Sequence, residues 1–424
     1  MNASSVLKMA DFSPSKEDLE YIKKEAKVFV EHLKECVAKK GIEAEVFVGG
    51  SFAKGTLTKS DKYDVDIFVR FDWKYELLSE ELEKILKILP EKYLRSLQKV
   101  HGSRDYFRIN INEKTVFEVI PVTKINKPKE ARNVTDLSYF HVNYVRKNLE
   151  EKNEKDVRLA KYFCTAQGVY GAESYINGFS GYAIECLVIY YKSFLKMLRE
   201  LSKADEKIII DLKKYYKNKE DVLFDMNESR LNSPIVLVDP TFKERNVLAA
   251  LNVESFKRFQ RSAKDFLDEP SDKFFMEKKN SKDYFLKIAK KKNAEFLNII
   301  IETDRQEGDI AGTKMKKFSR FLESAISKFF TILERDFSYN KGKASNFFIV
   351  AKSKKSVIKA GPPISLKSEV RSFKLKNKEV FEKNKSLYAK ITIDFSLEDF
   401  VNKLNKKESK KLKEMGITVL KLIK

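Results

Sequence analysis

The sequence has few cysteines and no long apolar segment. Its 424 residues include only Cys36, Cys164 and Cys186, which are widely separated and form no CxxC pair. An odd number of distant cysteines argues against a disulfide framework and against a cysteine zinc site. No apolar run approaches the roughly 20 residues that a membrane span needs, and residues 1–12 lack the features of a secretory signal. The sequence therefore predicts a cytoplasmic protein without a membrane partner.

Acidic residues are scarce relative to basic ones. The chain has 84 Lys and Arg against 62 Asp and Glu, a formal net charge of +22. Residues 341–424 alone hold 22 basic and 8 acidic residues, and so carry 14 of the 22 net positive charges. A surplus of this size favours a polyanionic partner, nucleic acid first and an anionic membrane second. The hydrophobic content of 42% still supports folded cores and excludes a wholly disordered protein.

The first third of the sequence has the pattern of a mixed α/β unit. At roughly 150 residues per domain, the chain has room for about three domains. Apolar residues recur at helical spacing over residues 15–40, with Ser13 as the predicted N-cap and Pro14 as the first helical residue. Apolar runs predict strands at residues 45–48, 63–71 and 115–120, the last stopped by Pro121. These elements predict one unit over residues 1–145.

Two further units are predicted downstream. Residues 138–201 are mostly helical, and the segment that begins at Gly181 is apolar nearly all round, which indicates a buried helical unit up to residue 270. Pro270 and Ser271 mark the next boundary. For residues 271–424 we predict an α/β order: a strand near 296–302, a long helix near 314–334, strands near 346–351 and 387–394, and helices after Ser396.

A glycine-rich segment follows the first predicted strand. Gly49, Gly50 and Ser51 are followed closely by Lys54 and Thr56. Free backbone N–H groups, a hydroxyl and a cation at one point suit a phosphate chain. Glycine and serine after a strand usually form only a turn, so this segment alone is a weak indication.

Two carboxylates share one face of the second predicted strand. Asp64 and Asp66 are two residues apart, so both side chains project from the same side, where like charges repel unless a cation lies between them. A solvated acidic face fits poorly, because the pair lies inside an apolar run. Glu118 on a later strand can supply a third oxygen ligand. Carboxylates without His or Cys favour Mg²⁺ over zinc.

These motifs together resemble a known family. GSFAKGT, followed by DVDIF and by a carboxylate on a later strand, is similar to the nucleotidyltransferases related to polymerase β. Further motifs match the archaeal, class I tRNA CCA-adding enzymes in the same order: DLSYFH at 136–141, DVRLAK at 156–161, GVYGAE at 168–173, GFSGY at 178–182 and VDPTFKERNV at 238–247. The resemblance covers residues 45–270. It is fainter downstream, where PSDKFF at 270–275 and AGPP at 360–363 are the best landmarks.

The resemblance implies a fold and an activity. The implied fold is α+β and multidomain, with a polymerase β-like nucleotidyltransferase head (1–145), a helical neck (146–270), and an α/β body with a basic tail (271–424). The implied activity is that of a CCA tRNA nucleotidyltransferase, which adds C, C and A to the 3′ end of tRNA from CTP and ATP without a nucleic acid template. Two Mg²⁺ ions would act in this reaction, tRNA would be the polyanionic partner, and the family allows a homodimer.

The resemblance also implies roles for individual residues. Asp64, Asp66 and Glu118 match the catalytic metal ligands. The positions that match nucleotide contacts are Gly50, Ser51, Lys54, Ser138, His141, Lys161, Tyr170, Arg245 and Val247. The triphosphate contacts among them are Ser51, Lys54, Lys161 and Tyr170. Ser138 and His141 match contacts near the sugar and phosphates, and Arg245 and Val247 match the segment that faces the base.

One position departs from the family pattern. The family has Asp in a VDVVP-like strand, whereas VFEVIP here supplies Glu118, with the same charge and one more methylene. Two alternatives therefore stay open. One is a tRNA-binding protein impaired in catalysis by this change. The other is a different polymerase β-like nucleotidyltransferase, such as a poly(A) polymerase, although the motifs between Ser138 and Val247 argue against it.

Overall fold

The computed structural model describes residues 2–276, 282–305 and 307–423. The chain folds into two compact units: the first comprises Met1–Ala172 and Ile176–Lys278, and the second comprises Glu173–Tyr175 and Lys279–Lys424. Both units combine helices with sheets, so the predicted α+β class is confirmed. The predicted boundary between head and neck falls inside the first unit, and the division into three domains stays a prediction.

The head contains a five-stranded sheet. Its strands are β1 (Ala44–Val48), β2 (Tyr63–Phe71), β3 (Gln98–Val100), β4 (Tyr106–Asn110) and β5 (Thr115–Thr123). They lie in the order β1-β2-β5-β4-β3, with β2 parallel to β5 and all other neighbours antiparallel. The helices beside this sheet are α2 (Lys16–Lys39), α3 (Gly50–Ala53), α4 (Leu78–Leu86) and α5 (Glu91–Leu94), whereas α1 (Ala3–Met9) packs into a separate core with Phe163 and Leu187. Apolar faces of α2 and α4 pack on the sheet and close the core of the head.

The N-cap of α2 lies two residues later than predicted. The hydroxyl of Ser15, rather than that of Ser13, accepts a hydrogen bond from the backbone N–H of Asp18 at 3.0 Å. Ser13 belongs to the preceding turn, where its N–H donates to Asp11. Pro14 therefore precedes the cap and is not the first helical residue. The apolar face was predicted correctly, because Ile22, Phe29, Leu33 and Val37 are all buried.

Strand β5 continues through Pro121, where the sequence predicted that it would stop. Beyond Val119 the strand pairs with β2 but no longer with β4. A residue without an N–H group is tolerated where one side of a strand has no partner. The carbonyl of Pro121 accepts a hydrogen bond from Arg104 at 3.1 Å instead. The strand thus reaches Thr123 and carries Glu118 in its middle.

The rest of the first unit is largely helical. Its helices are α6 (Ser138–Asn148), α7 (Glu154–Ala166), α8 (Gly181–Tyr191), α9 (Phe194–Ser202), α10 (Lys219–Asp225), α11 (Glu228–Leu231) and α12 (Val253–Asp268). Short 3₁₀ turns occur at Pro128–Glu130, Val134–Leu137, Glu151–Asn153 and Asp272–Phe275. Helix α8 is buried almost all round, as its apolar sequence predicts. A small sheet that we did not predict accompanies these helices, in the order β6-β7-β8: β6 (Ile208–Asp211), β7 (Ile235–Asp239) and β8 (Phe242–Asn246).

The second unit contains two antiparallel sheets. One has the order β10-β11-β9-β15, with β9 (Glu295–Glu302), β10 (Phe330–Tyr339), β11 (Ala344–Ser353) and β15 (Val419–Ile423). The other has the order β12-β14-β13, with β12 (Ser356–Pro363), β13 (Glu379–Lys383) and β14 (Ser386–Thr392). The helices are α13 (Lys282–Lys292), α14 (Asp309–Ile326), α15 (Lys367–Lys376), α16 (Leu397–Lys407) and α17 (Ser409–Glu414).

The long helix predicted at residues 314–334 is wrong at its C-terminal end. Helix α14 ends at Ile326, and the chain then enters strand β10 at Phe330. Exposure alternates along most of β10, and the strand pairs with β11 from Phe330 opposite Ser353 onward. Alternation with a period of two was the available signal, and the charged residues Glu334 and Arg335 obscured it.

The described helices were compared with what a membrane span requires. Across the three stretches of chain that the structure describes, no helix combines the length and the apolar character that crossing a bilayer requires.

Candidate active site

The glycine-rich segment lies directly against a carboxylate of β2. Gly50 begins α3 with a φ of +60°, a conformation that favours glycine. A Cβ atom at this position would lie 1.8 Å from Oδ2 of Asp66, so any side chain would clash. The N–H of Gly49 also donates to the carbonyl of Asp66 at 2.8 Å. The segment is therefore fixed beside the strand that carries the acidic pair.

Parallel pairing of β2 with β5 brings the three predicted carboxylates to one face. Asp66 lies directly opposite Glu118 in the register, and Asp64 lies two residues earlier on the same side of β2. Asp64 is exposed and Asp66 is half-buried, while the residues between and after them are buried. The acidic pair thus opens to solvent from an otherwise buried strand.

The environment of Asp66 favours a cation. Burial raises the pKa of the Asp66 carboxyl to about 7; the charge of Glu118 also raises it, and that of Lys54 opposes the shift. Like-charge repulsion of this kind is relieved when a divalent cation binds between the carboxylates. Within the described residues, no three His, Cys, Asp or Glu side chains stand close enough together to hold a metal ion. The two aspartates, with Glu118 opposite, nevertheless form a donor set that suits a hard divalent ion.

Glu118 is held by an arginine on the neighbouring strand. Arg108 lies opposite Glu118 across the β4–β5 pair, and its Nε donates to Oε1 of Glu118 at 2.7 Å. Burial alone would lower the pKa of Arg108, but Glu118 reverses the direction and raises it. Arg108 was not among the residues predicted from the sequence. Its pairing turns the third carboxylate toward β4.

Two lysines predicted for the triphosphate meet at one buried glutamate. Lys54 Nζ donates to Oε2 of Glu185 at 2.6 Å, and Lys161 Nζ lies 3.2 Å from Oε1 of the same carboxylate. Thr56 completes the cluster, because its hydroxyl donates to Oε1 of Glu185 at 2.6 Å. The Glu185 side chain is fully buried. Burial alone would raise its pKa, but Lys54 and Lys161 lower it to about 2.

Sequence reasoning missed Glu185. It lies on α8, in the segment that we predicted as buried and apolar, and its charge inside that helix was the available signal. A buried carboxylate requires a cationic partner, so a single Glu in an apolar helix indicates a charged cluster.

A second buried carboxylate organises the residues predicted near the base. Asp239 at the end of β7 accepts a hydrogen bond from Nη1 of Arg245 at 2.6 Å and lies 3.2 Å from Nε2 of His141. The hydroxyls of Tyr182 and Thr241 donate to its other oxygen at 3.1 and 2.7 Å. Burial alone would raise the pKa of Asp239, yet His141 and Arg245 hold it well below its usual range. The motif containing Asp239 was noted in the sequence, but its central role was missed.

The ring of Tyr182 lies between the cluster around Glu185 and the cluster around Asp239. It stacks on the His141 imidazole with 3.9 Å between ring centroids, and Lys54 Nζ lies 6.0 Å from the Tyr182 ring centroid. Burial lowers the pKa of His141, an effect that Asp239 partly offsets. The carboxylates, the lysines and Arg245 therefore belong to one continuous site within the first unit.

Comparison with known proteins assigns the chain to a family. Residues 30–136 match the family "Nucleotidyltransferase domain", and residues 155–276 match "tRNA nucleotidyltransferase, second domain". The CCA-adding enzyme of Nanoarchaeum equitans is 34% identical over 319 residues, which span 75% of each chain. This chain belongs to the archaeal CCA-adding enzyme family. The predicted nucleotidyltransferase head is thereby confirmed.

Other CCA-adding enzymes share similar lengths of sequence. That of Thermococcus gammatolerans is 28% identical over 402 residues, which span 93% of this chain and 87% of the relative. That of Sulfurisphaera tokodaii is 36% identical over 268 residues, or 63% of this chain and 59% of the relative. Enzymes of the nucleotidyltransferase family use divalent metal ions, which agrees with the donor set on β2 and β5.

The remaining residues predicted from the CCA-adding enzymes lie around this site in different environments. Ser51 is on α3 next to Gly50, and Ser138 begins α6, which also carries His141. The Tyr170 hydroxyl and the Cε of Lys161 both approach Gly181, at 3.1 and 3.7 Å from where its Cβ would be. Val247 is different, because its side chain is buried in the core of the first unit. The buried Val247 side chain therefore offers little surface for contact with a base.

Proposed function

We propose that this chain adds C, C and A to the 3′ end of tRNA, using CTP and ATP and no nucleic acid template. The tRNA 3′ hydroxyl attacks the α-phosphate, and pyrophosphate leaves. The observation that carries the proposal is the register of Asp66 opposite Glu118, beside the Lys54 and Lys161 cluster. This arrangement places an acidic face for metal-assisted transfer and a basic cluster for the triphosphate in the same site.

We propose Mg²⁺ as the divalent ion. Asp64 and Asp66 would hold two ions jointly, and Glu118 would leave Arg108 to hold the ion nearer the hydroxyl. Bound there, the ions would lower the pKa of the attacking hydroxyl and neutralise charge on the pyrophosphate.

Within the proposal, the triphosphate lies along α3, near Lys161 in the middle of α7 and near the start of α8. Lys54 supplies positive charge at the head, Lys161 adds a second, buried charge, and Tyr170 supplies a hydroxyl group from the other side. Ser51 and the N–H groups after Gly50 suit phosphate oxygens. Ser138 and His141 on α6 would contact the sugar and phosphates. Together these residues hold the triphosphate for in-line attack.

Base selection is assigned to Arg245. Its guanidinium offers a planar set of donors to an acceptor edge, and Asp239 fixes one end of it. Val247 would contribute by packing in the core next to β8 rather than by contact with the base, because its side chain is buried there. For the whole protein we also propose a cytoplasmic location and a homodimer.

The decisive experiment supplies tRNA lacking its 3′ end, Mg²⁺ and each labelled nucleoside triphosphate in turn. CTP and ATP should be incorporated, and UTP and GTP should be poor substrates. Long adenylate tails would favour a poly(A) polymerase. Binding of tRNA without any incorporation would favour the catalytically impaired alternative.

Arg245→Ala is expected to reduce the preference for CTP over UTP by about tenfold, because a polar group that reads a base edge is worth that much. The affinity for tRNA should change little. Asp239→Asn should have a similar effect, since Arg245 loses its anchor, and the double variant should be no worse than either single one. Arg261→Ala, at an exposed arginine of α12, is the matched control. An unchanged CTP/UTP ratio in both single variants would remove Arg245 from base selection.

The basic second unit is proposed to bind tRNA through phosphate contacts. Lys403, Lys406, Lys407 and Lys410 are exposed on α16 and α17. Deletion of this region is a poor test, because β15 pairs with β9 and Val401 lies in the core of the unit. Substitution of the four lysines with Gln removes the charge and keeps these elements.

The quadruple Gln variant should bind tRNA more weakly, with a flatter dependence on salt. Each lost phosphate contact lowers the log–log salt slope by about 0.9, so the slope reports the number of contacts. CTP affinity should stay unchanged. The control removes the same charge from exposed lysines of α2, at Lys23, Lys24, Lys27 and Lys34. Equal effects of the two quadruple variants would indicate that the second-unit lysines serve only solubility.

A further inference from the structure

All three N–H donors of the Lys161 ammonium group are used in the structure. Its Nζ lies 3.0 Å from the carbonyl oxygen of Thr56, 3.1 Å from the Thr56 hydroxyl and 3.2 Å from Oε1 of Glu185. An ammonium group has three N–H donors, and these three acceptors use all of them. Lys161 can therefore contact a phosphate only by giving up one of these bonds.

Lys54 is in a different position. It donates one bond to Glu185, which leaves two N–H groups for an anion, and its side chain keeps about a tenth of its surface exposed. Glu185 is thus the only carboxylate, among the residues the structure describes, that forms an ion pair with either lysine. Both of its oxygens are used, one by each lysine.

We propose that Glu185 is a positioning residue of the triphosphate subsite. Through one carboxylate it orients Lys54 toward the bound triphosphate and keeps Lys161 charged in a buried place. This inference rests on the proposed function, because that function assigns the two lysines to the triphosphate. The Glu185 side chain is fully buried and both of its oxygens are already bonded, so this role requires no contact of Glu185 with the substrate or a metal ion.

The charges around Lys161 give this role a measurable signature. Burial lowers the pKa of Lys161, Glu185 opposes that shift, and Lys54 and Arg158 add to it. A lysine binds anions while it is protonated, which is below its pKa. Removing the Glu185 charge should lower the pKa of Lys161 further, so triphosphate affinity relative to that of the wild type at the same pH should fall as the pH rises.

The test compares Glu185→Gln, which keeps the shape and loses the charge, with Glu200→Gln at an exposed position of α9. Titration calorimetry would measure pyrophosphate and CTP binding with Mg²⁺ between about pH 6.5 and 9. Glu185→Gln should bind both ligands roughly tenfold more weakly at the upper end of this range, and less weakly at the lower end. Its affinity for tRNA should not change, and Glu200→Gln should follow the wild type throughout.

Several results would overturn the inference. One is pyrophosphate affinity in Glu185→Gln equal to that of the wild type at every pH. Another is an equal loss of tRNA and pyrophosphate affinity with a lowered melting temperature, which indicates a purely structural role. If Glu185→Gln does not fold, Glu185→Asp replaces it: its shorter carboxylate cannot reach both lysines, so unchanged pyrophosphate affinity in that folded variant would contradict the inference.

Failure of the proposed function gives a different result. Pyrophosphate and CTP binding require no tRNA, so they can be measured even if no CCA is added. A wild-type protein that binds CTP and pyrophosphate but does not extend tRNA would refute the proposed function. The binding data of the Glu185 variants would still decide whether Glu185 positions the lysines.

Discussion

Asp66→Asn is expected to abolish nucleotide transfer, with a loss on the order of a thousandfold or more, because metal assistance supplies several kcal/mol to the transition state. Asp64→Ala should have a comparable effect. Affinity for tRNA should remain close to that of the wild type, since the proposed contacts with tRNA phosphates lie on the second unit. Single-turnover rates with truncated tRNA and CTP would measure the loss. Asp61→Asn, at an exposed position before β2, is the matched control.

Asp66→Asn should also stabilise the metal-free protein. Asp66 has a pKa of about 7 in the folded state, above its usual 3.8. An acid whose pKa is raised by folding destabilises the fold as pH rises from the lower value to the higher one, so the cost is fully present above pH 7. In EDTA at pH 8, Asp66→Asn should therefore gain about 2 kcal/mol in the free energy of unfolding, because partial exposure of the carboxyl to solvent screens part of the effect. A less stable variant would mean that Asp66 supports the fold.

Glu118→Ala is expected to slow transfer by roughly 100-fold, because one of three proposed metal ligands is lost. Glu118→Asp should keep or raise the rate, since it restores the family's residue and shortens the reach toward Arg108. Transfer rates over a range of Mg²⁺ concentrations would separate weaker metal binding from slower chemistry. Glu113→Ala, in the exposed turn before β5, should behave as the wild type. A harmless Glu118→Ala would place the third ligand elsewhere or make it dispensable.

Local patterns were sufficient to find the acidic strand. Val65, Ile67 and Val69 predicted β2 with the bounds that the structure has, and the spacing of Asp64 and Asp66 predicted their shared face. What the sequence lacks is the pairing between distant segments. The register that puts Glu118 opposite Asp66 follows from a parallel crossover, which no short-range pattern encodes.

Two of the residues that the sequence did not reveal have a common physical cause. Glu185 and Asp239 are charged groups whose partners lie far along the chain, whereas Arg108 meets Glu118 only ten residues away, across the β4–β5 pair. Glu185 pairs with Lys54, 131 residues away, and Asp239 lies beside His141, 98 residues away. A sequence shows an isolated charge in an apolar segment but does not show which opposite charge it meets. The end of α14 is a different case, because the period-two pattern of β10 is local but is obscured by the charged residues Glu334 and Arg335.

The long separation between Lys54 and Glu185 also bears on how the chain folds. Contacts between segments more than a hundred residues apart cost much loop-closure entropy and are slow to form. The nucleotide pocket should therefore be among the last parts of the first unit to mature, and intermediates that already hold helices and strands should not bind CTP. A ligand that binds only the native state shifts the folding equilibrium by mass action. CTP should thus act as a chemical chaperone for this chain, and retention on immobilised CTP should separate native molecules from misfolded ones.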